Sequence, residues 1–180
     1  MADRLTNLVH HISTLCPPDR LGRTRLAKIL WLADVEYYRL TGRTITGSDD
    51  YRKDEYGPRH RYLYDAIDIL LRGGHVVQRA APTPVGVRQE LIPLVRPDVS
   101  AFSAEEIAVV DRVAAAVINL SAKDASDLTH DELWDSANYN ERIPVAAAAP
   151  ILGETTPEIA QWAREAFNED SSPGDGISNR

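Results

Sequence analysis

The connection across residues 41–56 holds most of the side chains that could do chemistry, because it combines carboxylates with basic residues. The carboxylates are Asp49, Asp50, Asp54 and Glu55, and oxygen ligands of this kind can hold a divalent cation. Their spacing lacks the Asp-x-Asp-x-Asp-Gly loop and closing Glu of a calcium site, and three basic residues are interleaved: Arg43, Arg52 and Lys53. A small enzyme or cation-dependent hydrolase using Asp49 and Asp50 is an alternative, but a mixed-charge interaction surface is favoured.

Two of the histidines have charged neighbours. His60 stands between Arg59 and Arg61, which is typical of either an anion site or a solvated helix start. His130 lies near Asp127 and Asp131, so it could be a general base with an orienting carboxylate, although a hydrogen bond at a helix end is the favoured interpretation. The sequence has no nucleophile elbow, no phosphate-binding Gly-rich loop, no Cys-x-x-Cys and no His-Glu-x-x-His. We therefore expect no enzyme activity, no metal and no cofactor.

Composition narrows the class of protein. A chain of 180 residues that is 43% hydrophobic suits one domain with a buried core. No apolar run reaches the length of a membrane span, and the N-terminus has no signal pattern, so we expect a cytoplasmic protein without membrane contact. Cys16 is the only cysteine, which excludes an intrachain disulfide.

Charge is divided unevenly along the chain, whose net charge is -7. Residues 1–100 hold 15 basic and 12 acidic residues, a net of +3, whereas residues 101–180 hold 5 and 15, a net of -10. The overall negative charge argues against a general nucleic-acid binder. The acidic half is typical of a solvated surface or of a face that meets a basic partner.

Helical periodicity surrounds the charged connection. The spacing predicts a first amphipathic helix and then a central helix with one apolar face, ending at Thr41-Gly42; the face comprises Leu26, Ile29, Leu30, Ala33 and Tyr37. The charged residues of the central helix, Lys28 and Asp34 among them, are expected mostly off that face. Pro58 is predicted to begin a further helix, with one apolar side: Tyr62, Leu63, Ala66, Ile69 and Leu70.

The second half predicts a hairpin and more helices. Residues 75–79 and 89–95 are typical of two short strands, and helices followed by a hairpin favour a winged-helix-like arrangement. Ser103 and Glu106 form a capping box that opens a helix, a short helix begins near Ser121, and Pro157 begins a last one. The predicted fold is mainly α: a single compact helical domain over residues 1–168 with a small β-hairpin, and a partly disordered C-terminal tail over residues 169–180.

Several blocks of sequence together resemble one family. They occur in the order KILWLAD (28–34), TGRTITG (41–47), YGP (56–58), LYDA (63–66), FSAEE (102–106), LSAK (120–123) and SDLTH (126–130). This series is similar to the Panacea domain of SocA-like antitoxins, formerly a domain of unknown function found in phage-associated proteins, and covers roughly residues 20 to 135. The departures lie in the linking loops and in residues 131–134, which match the family's acidic-then-Trp ending only loosely.

The resemblance implies an antitoxin of a toxin–antitoxin system, which neutralises by direct binding a protein toxin that is generally encoded by an adjacent gene. One family member instead delivers its toxin to a protease, so a protease is a second implied partner. The toxin's identity and the oligomeric state are left open.

Interface centres favour Tyr, Trp and Arg, which directs attention to the aromatic and arginine residues of the first half. We expect Tyr37 and Tyr62 in the core, and Tyr38, Tyr51 and Arg52 to be exposed. Acidic side chains of the second half could cover a basic cleft of the toxin. The predicted toxin-binding residues are Tyr38, Arg43, Tyr51, Arg52, Tyr56, Arg59, Arg61, Asp124 and Asp127.

The main alternative is a winged-helix-like DNA-binding or autoregulatory protein. It would use the hairpin as a wing, together with basic residues around the start of the central helix: Arg20, Arg23, Arg25 and Lys28. The helix that opens at Ser103 and the short helix near Ser121 could together form a helix-turn-helix. The second of them carries acidic side chains that would face phosphates unfavourably, so nucleic acid is the less favoured partner.

Overall fold

The computed structural model describes residues 2–149, apart from 85, 121–123, 126–127 and 130–131. Helices and strands follow in the order α1 (Ala2–Leu15), α2 (Arg23–Thr41), β1 (Tyr51–Asp54), β2 (Gly57–His60), α3 (Leu63–Arg72), β3 (Val76–Thr83), β4 (Gly86–Pro93), α4 (Ala104–Asn119), α5 (Glu132–Ser136) and α6 (Val145–Ala148). Of the described residues, 49% are helical and 18% are in strands, so the mainly α prediction holds in outline, with more strand than expected. The predicted helix at Pro157 and the predicted disordered tail lie outside the described residues.

Helix α2 runs through the centre of the fold. Its C-terminal cap is as predicted: Gly42 adopts a left-handed conformation (φ 70°), and its N–H donates to the Tyr38 carbonyl. One side of α2 packs with α1, α3 and α4 in the larger hydrophobic cluster, which includes Tyr37. Trp31 and Val35 belong to a second cluster with Tyr51 and the α6 region. Because α2 is covered on two sides, its burial extends well beyond the single apolar face that the spacing predicted.

A hairpin formed by β1 and β2 occupies part of the predicted polar connection. The strands pair antiparallel from Tyr51 opposite His60 to Asp54 opposite Gly57. The outer edge of β1 is covered by residues 140–143, where the N–H of Ile143 donates to the Tyr51 carbonyl at 2.9 Å. The prediction that Pro58 begins a helix is wrong, since Pro58 lies inside β2. Proline has no N–H to donate, but its fixed φ is compatible with an extended strand.

Helix α3 therefore begins at Leu63, and its buried face differs from the predicted one. Leu63, Ala66, Ile67 and Leu70 are buried, whereas Ile69 is exposed. Tyr62 is 47% exposed, so its assignment to the core is wrong. Tyr62 precedes the helix, so an apolar pattern that begins at Tyr62 places the buried face on Ile69 instead of Ile67.

The predicted hairpin and the predicted capping box are both present. Strands β3 and β4 pair antiparallel over eight residues each, with Val76 opposite Pro93. The winged-helix arrangement itself is not confirmed. Ser103 accepts the N–H of Glu106, and the Glu106 carboxylate accepts the N–H of Ser103. Within the described part of the chain, no helix is both long and apolar enough to cross a membrane.

Candidate partner-binding surface

A buried carboxylate on α2 holds the hairpin side of the fold together. Asp34 is fully buried and accepts hydrogen bonds from the N–H of Ile45 (2.6 Å), the N–H of Thr46 (3.0 Å), the Thr46 hydroxyl and the Tyr51 hydroxyl (2.8 Å). Burial raises the pKa of Asp34 to about 6, although all four hydrogen bonds favour the charged form. The sequence placed Asp34 off the apolar face because its partners lie on other segments.

The prediction that Tyr51 is exposed is wrong. Its ring is fully buried, and its ring centre lies 4.9 Å from that of Trp31 and 5.1 Å from that of His60. Its hydroxyl donates a hydrogen bond to Asp34. Tyr51 therefore cannot contact a partner from its present position. Through its contacts with Asp34 and Trp31, Tyr51 joins β1 to α2.

Lys28 is also buried, contrary to its expected place off the apolar face. Its ammonium donates to the Tyr56 carbonyl at 2.7 Å and to the Thr129 hydroxyl at 2.6 Å. Gly57, which follows Tyr56, has φ +123° and approaches Thr129 so closely that an added Cβ would lie 2.8 Å from the Thr129 hydroxyl oxygen. The turn between β1 and β2 is thus held against α2, and Lys28 is unavailable to DNA phosphates.

Three exposed tyrosines surround this turn and the start of α3. Tyr56, Tyr62 and Tyr64 are 57%, 47% and 42% exposed. Arginines stack over two of the rings, since Arg59 and Arg23 lie 4.6 Å and 5.3 Å from the Tyr64 ring centre, and Arg61 lies 5.4 Å from that of Tyr62. We name this set the aromatic–arginine surface: Arg23, Tyr56, Arg59, Arg61, Tyr62 and Tyr64.

Ion pairs hold the arginines of this region in place. Arg59 pairs with Asp54, and the Asp50 carboxylate receives Arg52 at 2.9 Å and Arg61 at 3.7 Å. Pairs exposed to solvent contribute only about 0–1 kcal/mol each, so their main effect is to orient the guanidinium groups.

The same ion pairs bear on the cation-site alternative. Asp49 accepts from Arg142 at 2.9 Å and from the N–H of Val145 at 2.7 Å, while the other two aspartates of the connection pair with arginines. Across the described residues, no three His, Cys, Asp or Glu side chains group as a metal site requires. Asp49, Asp50 and Asp54 are therefore each engaged by an arginine of the protein.

A comparison with protein-family profiles identifies the family of this chain. The profile described as "Antitoxin SocA-like, Panacea domain" matches residues 26–135, more than half of the chain. The chain belongs to this family. No curated protein matches it, and no solved structure does. The matched segment of this Panacea domain runs from α2 into α5 and includes all of the aromatic–arginine surface except Arg23.

The structure brings together only some of the predicted toxin-binding residues. Tyr56, Arg59 and Arg61 lie in the aromatic–arginine surface, and Arg52 is half-buried beside it in its ion pair with Asp50. Tyr38 is half-buried against the second hydrophobic cluster. The remaining positions are separate: Arg43 is exposed beyond the end of α2, Asp124 is exposed in the short segment before α5, and Asp127 lies outside the described residues.

The length of α2 separates the predicted residues further. Its 19 residues span about 28 Å at 1.5 Å per residue, so Arg43 lies far from Arg23. Sequence reasoning missed Arg23, Tyr62 and Tyr64 as members of this surface. The alternation of exposed Tyr62 and Tyr64 around buried Leu63 is the signal that could have located the two tyrosines.

Proposed function

We propose that this Panacea domain is an antitoxin that neutralises a protein toxin by binding it directly through the aromatic–arginine surface. The observation that carries the proposal is the family match over residues 26–135. Family membership suggests a toxin as partner, and the surface is our assignment of where that toxin binds. The chain acts in this proposal as a binding protein without catalytic activity.

The composition of the surface suits the centre of an interface. Tyr and Arg are enriched among the residues that dominate binding energy, and truncating one such residue commonly costs about 2 kcal/mol or more of binding free energy. A standard interface takes about 800 Å² from each partner, so these six residues would form its centre. Contacts at Arg43, Tyr38 or Asp124 would require a footprint that extends well beyond this surface.

The scaffold below the surface favours tight binding because it is already ordered. Lys28 fixes the turn that carries Tyr56, and the ion pair with Asp54 orients Arg59 over Tyr64. Side chains that are immobilised before binding lose less conformational entropy when the complex forms. We therefore expect little rearrangement of the hairpin in the complex.

Growth of a bacterial host tests the proposal. The reading frame adjacent to this gene is induced alone and then together with the chain, and we expect growth arrest in the first case and recovery in the second. Co-purification then reports direct binding. If the toxin persists at full level within a soluble complex, binding alone neutralises it, whereas a fall in toxin level that depends on a host protease would replace that mechanism with delivery for degradation.

Matched variants locate the contact on the antitoxin. Arg59→Ala should reduce co-purification of the toxin, and Arg72→Ala serves as its control because Arg72 has a highly exposed side chain at the far end of α3. Equal retention of the toxin by both variants would remove Arg59 from the interface. The DNA-binding alternative is less favoured, since the burial of Lys28 removes one of its four proposed phosphate contacts.

A further inference from the structure

A cavity of about 360 Å³ lies between α1, the loop before β1 and the start of α3. We name it the α1–α3 cavity. Its walls are mainly apolar and include Leu5, Ala66 and Ile69. The volume falls within the range of about 300–1,000 Å³ that is typical of small-molecule sites. Tyr62, which also belongs to the aromatic–arginine surface, contributes to the cavity wall.

Two polar side chains in the wall have unused hydrogen-bonding groups. The Thr6 hydroxyl oxygen and the His60 Nε2 atom are buried and have no hydrogen-bond partner within the described structure, and both residues line the cavity. Thr6 and His60 are 7% and 1% exposed, so neither side chain turns to bulk water instead. Buried polar atoms are normally satisfied by protein, water or a ligand, which makes this pair unusual.

The hydrogen bonds of the His60 ring decide which atom carries its proton. The N–H of Tyr62 donates to Nδ1 at 3.3 Å, so Nδ1 holds a lone pair and the proton of the neutral ring lies on Nε2. Burial lowers the pKa of His60 to about 4, which keeps the ring neutral at pH 7. The cavity wall therefore offers an N–H donor at His60 and a hydroxyl at Thr6.

Charge near the cavity restricts what could occupy it. Asp65 lines the cavity and is exposed. The hydroxyl of the wall residue Thr46 donates a hydrogen bond to the buried Asp34 carboxylate. An anionic ligand would be repelled by these carboxylates and would find no cationic side chain among the described lining residues. A neutral molecule avoids both the repulsion and the cost of burying a charge.

We propose that the α1–α3 cavity binds a small, uncharged, largely apolar molecule carrying a carbonyl oxygen that accepts from His60 Nε2, with the Thr6 hydroxyl as a second polar contact. The apolar walls supply most of the binding energy, and the two polar groups supply orientation. This inference does not rest on toxin binding, because its polar contacts, Thr6 and His60, lie outside the aromatic–arginine surface, and that surface shares only Tyr62 with the described cavity wall.

Titration of the full chain with three probes tests the proposal, with the amide NMR chemical shifts as the readout. Acetophenone has the carbonyl, ethylbenzene replaces it by an apolar group of similar shape, and phenylacetate adds a negative charge. We expect saturable shifts at Leu5, Thr6 and Ala66 with acetophenone at a dissociation constant of about 1 mM, typical of a ligand with so few atoms. Ethylbenzene should bind about fivefold more weakly, and phenylacetate more weakly still.

Variants separate the hydrogen bond from the cavity. His60→Phe should weaken acetophenone about fivefold and leave ethylbenzene unchanged. Ala66→Leu, which fills the cavity from α3, should abolish binding of both and does not rely on His60→Phe folding well. Absence of saturable shifts at the cavity up to about 10 times the expected dissociation constant, or equal affinity for acetophenone and ethylbenzene, would overturn the proposal and indicate a cavity occupied only by water.

Discussion

The pH dependence of stability should be governed by two buried groups that act in opposite directions. Asp34 contacts the Tyr51 hydroxyl, and His60 packs against the Tyr51 ring. Burial raises the pKa of Asp34 from 3.8 to about 6 and lowers that of His60 from 6.5 to about 4. Both shifts disfavour the charged form of the group, because neither ion is well solvated inside the protein.

The sign of each contribution follows from proton binding. Between pH 3.8 and 6 the folded state holds the Asp34 proton more tightly than the unfolded chain, so the stability from this group is complete below pH 3.8 and is lost as pH rises through 6. Between pH 6.5 and 4 the folded state resists protonation of His60, so the stability from this group is complete above pH 6.5 and is lost as pH falls through 4.

Asp34 and His60 make contributions of similar size to the pH dependence of the free energy of unfolding. A shift from 3.8 to about 6 for Asp34, at about 1.4 kcal/mol per pKa unit, corresponds to about 3 kcal/mol. The shift from 6.5 to about 4 for His60 likewise corresponds to about 3 kcal/mol. In the wild-type chain these contributions nearly cancel between pH 4 and 6.5, and each becomes visible only when the other group is removed.

Urea unfolding, monitored by circular dichroism at several pH values between 4 and 7, measures how each group changes the free energy of unfolding. Relative to wild type, the free energy of unfolding of Asp34→Asn should rise by about 3 kcal/mol from pH 4 to 6.5, and that of His60→Phe should fall by about 3 kcal/mol. Asp34→Asn is the suitable change because the amide oxygen still accepts both backbone N–H groups, while the Thr46 and Tyr51 hydroxyls can accept from its NH2 group.

Comparison with wild type removes the background of carboxylates whose pKa is lowered by hydrogen bonds, namely Glu90, Asp98 and Glu141. If the free energies of unfolding of Asp34→Asn and wild type differ by the same amount at every pH, within about 0.5 kcal/mol, the reasoning for Asp34 is refuted. The same constancy for His60→Phe would refute it for His60.

Three further substitutions test how the hairpin and α4 are held. Lys28→Met should lower the free energy of unfolding by about 2–4 kcal/mol, because the Thr129 hydroxyl and the turn carbonyl lose a charged donor; a loss below 1 kcal/mol in urea unfolding would contradict this. Gly57→Ala should cost about 2–3 kcal/mol, since its φ of +123° and the close approach to Thr129 both oppose a Cβ; an unchanged melting temperature would be inconsistent. Ser103→Ala should cost about 1 kcal/mol by removing the cap, with Ser100→Ala as a control outside the box, and equal effects of the two would argue against the capping contribution.

Local chemistry explains what the sequence predicted correctly. The end of α2 at Gly42, the start of α4 at Ser103 and the strands β3 and β4 depend on neighbouring residues, and short-range patterns describe them. The family resemblance was likewise carried by ordered blocks, which the profile match over residues 26–135 confirms.

Contacts between distant segments explain what the sequence did not predict. Asp34 and Lys28 have typical surface chemistry, and only their partners on the loop before β1, on β1 and near Thr129 make burial favourable. Strands β1 and β2 are four residues each and rich in charge, so no alternation of apolar residues marked them. Tyrosine is a residue type that interfaces favour, which predicts an exposed Tyr51, but its hydroxyl has a buried acceptor, Asp34, that lies 17 residues away in the sequence.

Rescue of growth by the wild-type chain and by the double variant Tyr56→Ala/Tyr64→Ala tests the central claim most directly. Both tyrosines are exposed, so the double variant should fold and accumulate like wild type, and Leu40→Ala provides an exposed apolar control at the other end of α2. We predict that the wild type and Leu40→Ala restore growth of cells expressing the adjacent toxin, and that the double variant does not. Full rescue by the double variant would contradict the assigned surface, and failure of the wild type to rescue would contradict the antitoxin function itself.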